Sequence, residues 1–393
     1  MTSQRQSILF ALEGVTSDGA DNFGNGKGYY NSGTTASPVY TAHSWIAPPP
    51  GSYFSSTPSR STSLIRTTGT RFWDTVTYGH FSGSWEWTFI LDYNYLEPLV
   101  LAFDSYTPPS SNGVHMFRKL NNTRVPSFSV RRKILNRMVG GSNDEAEDLL
   151  GCVCKSISFS KNSSNSQISV SMSGVYVNEK MLTGALDVTD YQEYNGNAAE
   201  WMCMFIGTAS NDNYVANTDS MSISIGNNAY MNDNTCSPFS TSYGEGNVDF
   251  SFSTSCFSNT PERYKQRVYT GGKAPEAIGA SGSEYYGPLS KNLAPVPLIT
   301  LMTYNASARD SGTDIETAIS SSTRKAAFAI NKCVIKSVPY QKGDGSKLQD
   351  QLSSVECRYL TLTVTDTDTG DTKRNQDLIT DPPNAVASSA DPA

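Results

Sequence analysis

One short stretch occurs twice in the chain and limits the folds open to it: Gly151-Cys-Val-Cys-Lys-Ser-Ile-Ser-Phe159 and Lys332-Cys-Val-Ile-Lys-Ser-Val-Pro-Tyr340. Val153, Lys155, Ile157 and Phe159 alternate in the first copy, as Val334, Lys336, Val338 and Tyr340 do in the second, so each set shares one face of a strand. Each copy then enters a polar turn, Lys161-Asn-Ser-Ser-Asn165 or Gln341-Lys-Gly-Asp-Gly345, and a return strand is predicted after it. One hairpin is used twice.

The repeat extends backwards from both hairpins, as a duplicated unit requires. Gly83-Ser-Trp-Glu-Trp-Thr-Phe89 aligns without gaps on Gly246-Asn-Val-Asp-Phe-Ser-Phe252. Trp85, Trp87 and Phe89 match Val248, Phe250 and Phe252 on an apolar face, while Ser84, Glu86 and Thr88 match Asn247, Asp249 and Ser251 on a polar one. Pro98 then meets Pro261, each opening a segment that reads as a short helix begun by proline. Pro126-Ser-Phe-Ser-Val130 meets Pro297-Leu-Ile-Thr-Leu301, so the halves share one order of elements and differ by loop insertions.

At 393 residues the chain has room for two or more domains, each with its own core. Hydrophobic residues make up 37% and aromatics 11%, which excludes wholesale disorder; charged residues are only 17%, and Ser, Thr and Asn take their place. Such a surface suits burial against neighbouring subunits. A net charge of −7 argues against a nucleic-acid binder, because phosphate contacts need a basic surface, and suits a wall that DNA passes without sticking. The start of the chain has no sustained apolar core, so neither an export signal nor a membrane span is expected. Seven cysteines, none in CxxC spacing, fit free thiols in a reducing compartment, and Cys152 and Cys154 read as small core residues on the face opposite Val153.

In chain order, residues 1–56 form a strand near Ile8–Leu12 and an extended arm whose Tyr29, Tyr30, Trp45 and Ile46 favour docking. Residues 57–190 hold the first unit and 191–370 the second, with a linker near 180–200, and 371–393 read as a mobile tail. A basic cluster, Arg131, Arg132 and Lys133, precedes an acidic one, Asp144, Glu145, Glu147 and Asp148, placed in the first turn of a short helix capped by Ser142 or Asn143. Residues 306–330 read as a helix-bearing insertion ending in Arg324-Lys-Ala-Ala-Phe-Ala-Ile330.

No constellation in the sequence singles out a catalytic site; carboxylates are frequent, so a glycosidase pair stays open, but nothing selects one pair over another. The three histidines, His43, His80 and His115, are scattered, and no nucleophile elbow, phosphate-binding loop or paired-histidine helix is present. The run Asp366-Thr-Asp-Thr-Gly-Asp371 has oxygen ligands but lacks a closing glutamate, so a turn is expected there and no metal or other cofactor.

Leu12-Glu13-Gly14, the Ser61–Phe89 strand run with Gly83, the proline-led segment after it, the Gly151-Cys-Val-Cys-Lys-Ser hairpin and Met221-Ser-Ile-Ser-Ile-Gly-Asn-Asn228 together resemble the tail tube proteins of long-tailed bacterial and archaeal viruses. The likeness is to the subgroup in which the tube domain occurs twice in one chain. It implies a mainly β fold: two tandem β-sandwich or split-barrel domains, each flanked by a short helix, whose inner strands line a channel. It further implies a non-enzymatic virion protein made in the host cytoplasm, whose rings stack into the tail tube and pass the genome into the host. Three chains would close a pseudo-sixfold ring, with a hexamer of chains as the alternative, in contact with other tail proteins. On that reading Ser84, Glu86, Thr88, Asn247, Asp249 and Ser251 face the lumen. The 131–133 and 144–148 clusters pair across subunits, and the arm and the loops at 104–125 and 271–296 contact the next ring. An ordinary solvated sheet face has the same composition as the proposed lumen wall. Two alternatives stay open: another tail ring component, distal tail or baseplate, and a β-rich adhesin or polysaccharide-acting protein that binds through Trp73, Trp85 and Trp87.

Overall fold

The structure is a computed structural model that describes residues 5–33, 36–49, 51–65, 75–107, 113–119, 124–135, 145–162, 167–183, 199, 201–206, 214–233, 236–258, 277–278, 284–285, 296–304, 315–337, 340–342, 348–356 and 359–366. The first half contains β1 (Arg5–Leu12), β2 (Tyr29–Asn31), β3 (Tyr40–Ala42), β4 (Tyr53–Ile65), β5 (Thr75–Ile90), α1 (Glu97–Val100), β6 (Ser105–Thr107), β7 (Val114–Lys119), β8 (Phe128–Leu135), β9 (Glu145–Lys161), β10 (Ser169–Tyr176) and β11 (Asn178–Thr183). The second contains β12 (Trp201–Ile206), β13 (Tyr214–Gly226), β14 (Ala229–Asn232), β15 (Ser242–Glu245), β16 (Asp249–Ser258), β17 (Ala277–Ile278), β18 (Glu284–Tyr285), β19 (Val296–Tyr304), α2 (Ile315–Ser321), β20 (Arg324–Ser337), β21 (Tyr340–Lys342), β22 (Leu348–Glu356) and β23 (Tyr359–Asp366). The fold is mainly β and its described strand pairs are antiparallel.

Both copies of the repeated stretch are strands of hairpins. β9 turns back on β10, and β20 turns back on β22, the long arms pairing antiparallel. The correspondence reaches the pairing order. In the first half the order is β4–β5–β10–β9–β8–β1. In the second it is β13–β16–β22–β20–β19–β12, with strands met in the same chain order. The two sets join twice, where β9 pairs with β13 and where β7 pairs with β23.

Alternation along each strand sends large apolar groups to one side. Trp85 and Trp87 are among the largest fully buried side chains, packed by Phe10, Phe54 and Phe128 in edge and stacked contacts. Gly174 sits directly behind Trp85, where a Cβ would lie 2.4 Å from the indole. β9 bends where it leaves β8 for β10: Gly151 has φ 63°, a conformation only glycine adopts freely, and a Cβ there would meet Val177 at 2.4 Å.

The arm is held on its own chain. Phe10 and Ile46 exchange backbone hydrogen bonds, and Glu13 is fully buried. Its carboxylate accepts from the Gly24 and Gly151 amides at 2.9 and 2.7 Å and from the Ser129 hydroxyl at 2.7 Å. Burial outweighs these bonds and raises its pKa above the ordinary 4.5.

Several elements depart from the sequence expectation. Residues from Glu145 on form a strand, not a capped helix, because pairing with β8 sets Leu149 against Val130 and Cys152 against Phe128, all of them buried. Glu179–Thr183, read as linker, belongs to β11, which pairs with the first part of β9. A helix does occur inside 306–330, as α2, but Arg324–Ile330 is strand β20, with Ala326, Phe328 and Ile330 alternating into the core. The 104–125 segment carries β6 and β7 with Tyr106 and Phe117 buried, so part of it is an internal junction. Pro261, the 371–393 tail and most of the 271–296 loop lie outside the described residues.

Two outcomes are expected from this packing. Gly151→Ala should lower unfolding free energy by about 2 kcal/mol through backbone strain and the Val177 contact, read by urea denaturation; no change would mean β9 does not need this bend. Because the Glu13 pKa is raised on folding, its contribution to stability is fully present below 4.5 and is lost as pH rises through the raised value. The stability of the native protein relative to Glu13→Gln should therefore fall as pH rises above 4.5, and a pH-independent difference would contradict this.

Candidate assembly surface

The polar positions of β5 and β16 come together on one face, although they lie in different halves of the chain. Across the sheet, Thr88 registers with Ser171 of β10, Ser171 with Ser158 of β9, Ser158 with Ser224 of β13, and Ser224 with Ser251 of β16. The neighbouring row runs Ser55, Glu86, Ser173, Ser156, Gly226 and Asp249. A third runs Ile90, Ser169, Ser160, Ser222 and Ser253. Hydroxyls tile the wall and bond one another, as at Ser156 and Ser173 with oxygens 2.7 Å apart. These rows contain two carboxylates and no cation.

The opposite face of the same strands is core. Phe54, Trp87, Met172, Ile157, Ile225 and Phe250 form one row, and Phe89, Val170, Phe159, Ile223 and Phe252 the next. Of the six expected wall positions, Ser84, Glu86, Asp249 and Ser251 are exposed and Thr88 is half-buried. Asn247 is exposed too but precedes β16, and its carbonyl accepts a hydrogen bond from the Asn228 side chain at 2.6 Å. Asn228 also donates to the Asp249 carboxylate at 2.7 Å, fixing its direction at the strand entrance.

The charged clusters expected to pair between subunits are paired inside one chain. β8 and β9 place Arg131 opposite Asp148 and Arg132 opposite Glu147. The Arg131 guanidinium grips Asp148 through two bonds of 2.7 Å and lies 4.4 Å from the Trp45 ring centre; Arg132 bonds Glu147. Antiparallel pairing, rather than a helix start, brings the opposite charges face to face. Asp144 and the side chains of Lys133 and Glu145 lie outside the described residues.

Sequence reasoning missed the junction between the halves. Lys119 is buried between Asp104 at 3.5 Å and Glu245 at 3.6 Å, so a β7 cation is shared by carboxylates of both halves. Asn227 donates to the Ala102 and Cys154 carbonyls at 3.1 and 3.2 Å. The signal for it was weak: a lysine ending an alternating strand, and an Asn pair after Gly226. Each reads locally as solvated turn chemistry.

Little supports chemistry elsewhere. Trp85 and Trp87 are buried, which removes them as sugar-binding aromatics, and Trp73 lies outside the described residues. Cys152, Cys154, Cys203 and Cys333 are buried thiols; burial pushes that of Cys154 up to about 12. Among the described residues no group of His, Cys, Asp or Glu is placed to hold a metal ion, and the stretch after Asp366 is outside them. Among the described residues no helix is long and apolar enough to cross a membrane.

Arg131→Ala should lower unfolding free energy by about 2–3 kcal/mol, since it strands a nearly buried carboxylate and removes the Trp45 contact. Combining it with Asp148→Ala should recover part of the loss. Unchanged unfolding of the dilute monomer, with a defect only on assembly, would return the pair to a role between subunits. No protein-family model matches the sequence, and no curated protein matches it significantly.

Proposed function

We propose that this chain is the structural subunit of a viral tail tube, with two tandem tube units per chain and rings that stack into a conduit for the genome. The observation that carries the reading is the serine-rich wall that runs unbroken from first-half strands into second-half strands through the β9–β13 pairing. One such joint already sits inside the chain. Repeating it between chains needs a free partner at each end, and the described residues offer them. β4 pairs on one side only, with β5, and β21 pairs only with β22. In the repeat, β21 and the end of β20 stand where the end of β9 stands, and β4 stands where β13 stands. Three chains joined this way present six units around one lumen, and the free edges of β4 and β21 are covered.

The chemistry of the wall fits passage rather than capture. Hydroxyls keep it wetted, Glu86 and Asp249 repel a polyanion, and the described rows of the wall carry no cation. No catalytic role is assigned, the site of action is the virion tail, and passing DNA is a non-specific guest. A distal tail or baseplate ring would share the wall and differ in stacking.

Negative-stain electron microscopy of the purified protein at rising concentration tests the reading. Hollow tubes, or rings whose averages show three chains and six similar lobes, are expected. Six chains per ring would keep the function and overturn the stoichiometry; solid or purely monomeric particles at every concentration would sink the tube.

A further inference from the structure

The part of the β4–β5 hairpin beyond the shared sheet is built like a contact surface. Thr62 registers with Tyr78 and Leu64 with Val76, so Thr62, Leu64, Val76 and Tyr78 share one face. Leu64 is 54% exposed and Tyr78 64%, two of the few large apolar side chains left in water among the described residues. Arg60 stiffens the patch: its guanidinium lies 5.0 Å from the Tyr78 ring centre, and its Nε donates to the Gly79 carbonyl at 3.2 Å. A free strand edge and exposed apolar groups at the same place are costly for a monomer.

The second half shows what this position is used for. Between β13 and β16, the strands that match β4 and β5, stands the β14–β15 hairpin, and it is docked on the first half of the same chain. Tyr243 donates to the Val125 carbonyl at 2.7 Å, the Val125 amide donates to Glu245 at 2.6 Å, and Ala229 packs with Val125 and Val153. The first half therefore carries a seat for a hairpin from the unit beside it. In the repeat, Val296 and Val334 stand where Val125 and Val153 stand.

We propose that the outer β4–β5 hairpin, from Arg60 to Leu64 and Val76 to Gly79, docks on the second half of another copy of this chain, at the seat marked by Val296 and Val334. The unit beside the first half on its free side is a second half, so a second copy supplies the missing seat. The contact is then the intermolecular counterpart of β14–β15 on Val125. It rests on the reading of two matching units per chain, and it adds a specific partner surface that ring closure alone does not name.

Photo-crosslinking from p-benzoylphenylalanine substituted for Tyr78, in mixtures of isotope-labelled and unlabelled full-length chain, tests it. The expected product is a concentration-dependent crosslink between chains, ending within residues 296–337. Alongside it, Leu64→Glu combined with Tyr78→Glu should leave the urea unfolding midpoint of the dilute protein unchanged, because both side chains are exposed. The same variant should raise the concentration needed for assembly at least tenfold. Crosslinks confined to the chain's own residues or to another chain's first half, or wild-type assembly by the double variant, would overturn the proposal. The two readings fail separately: hollow tubes with crosslinks elsewhere reject the hairpin seat alone, whereas the expected crosslink in assemblies without a lumen rejects the tube alone.

Discussion

The fold depends on what β9 does along its length. Its first part lies between β8 and β11, and its last part between β10 and β13. A strand that serves two sheets must turn between them, and Gly151 supplies the turn at the one place where Glu13, Val177 and Phe23 also converge. The N-terminal arm, the first-half core and the second-half sheet thus meet on one backbone. Loss of its register would move serines into the core and Ile157 and Phe159 into water, because a one-residue slip exchanges the faces of a strand.

That alternation also explains why the wall is so uniform. On the core side, residues of very different size interdigitate, from Met172 to Trp87, and each is fixed by its neighbours. On the wet side no such fitting is needed, and serine recurs on β9, β10, β13 and β16. Serine suits a strand packed edge to edge on both sides: it is small, keeps water at the surface, and its hydroxyl finds a cross-strand partner such as Ser173 for Ser156. A lysine or glutamate in each place would concentrate like charges along a row, which is destabilising where Cβ atoms stand about 5 Å apart.

The strand content, the doubled hairpin and the matching of β5 with β16 were legible because each rests on a period of two in local sequence. The identity of the wet face was legible for the same reason. What local pattern does not carry is which strand lies beside which. The charges of 131–133 and 144–148 look like a basic strand end and an acidic helix start, and only the antiparallel register of β8 and β9 turns Arg131 and Asp148 into a pair. Glu179–Thr183 loses its alternation because β11 is a short partner strand with exposed Lys180 and Met181, so composition alone points to a linker. Lys119 shows the limit best: its value lies in two carboxylates, one of which, Glu245, belongs to the other half of the chain.

The junction chemistry bears on how the proposed ring would tell its own interfaces apart. Inside the chain the joint between halves is made by strand pairing, at β9–β13 and at β7–β23, and again by a buried cation that needs Asp104 and Glu245 together. Strand pairing is tolerant of sequence, since backbone groups make the bonds; a buried charge is not, because removing either carboxylate leaves the lysine under-compensated in a dry site. At the spacing that matches Pro98 with Pro261, Asp104 falls on Arg267, so the second half has a base where the first has the acid. A joint between chains would therefore lack this lock and rest on the β4 edge and the hairpin face. Such a division would make the covalently linked joint the permanent one and leave the proposed joint between chains weaker and reversible, so that a misplaced subunit could leave a growing ring before the next one is added.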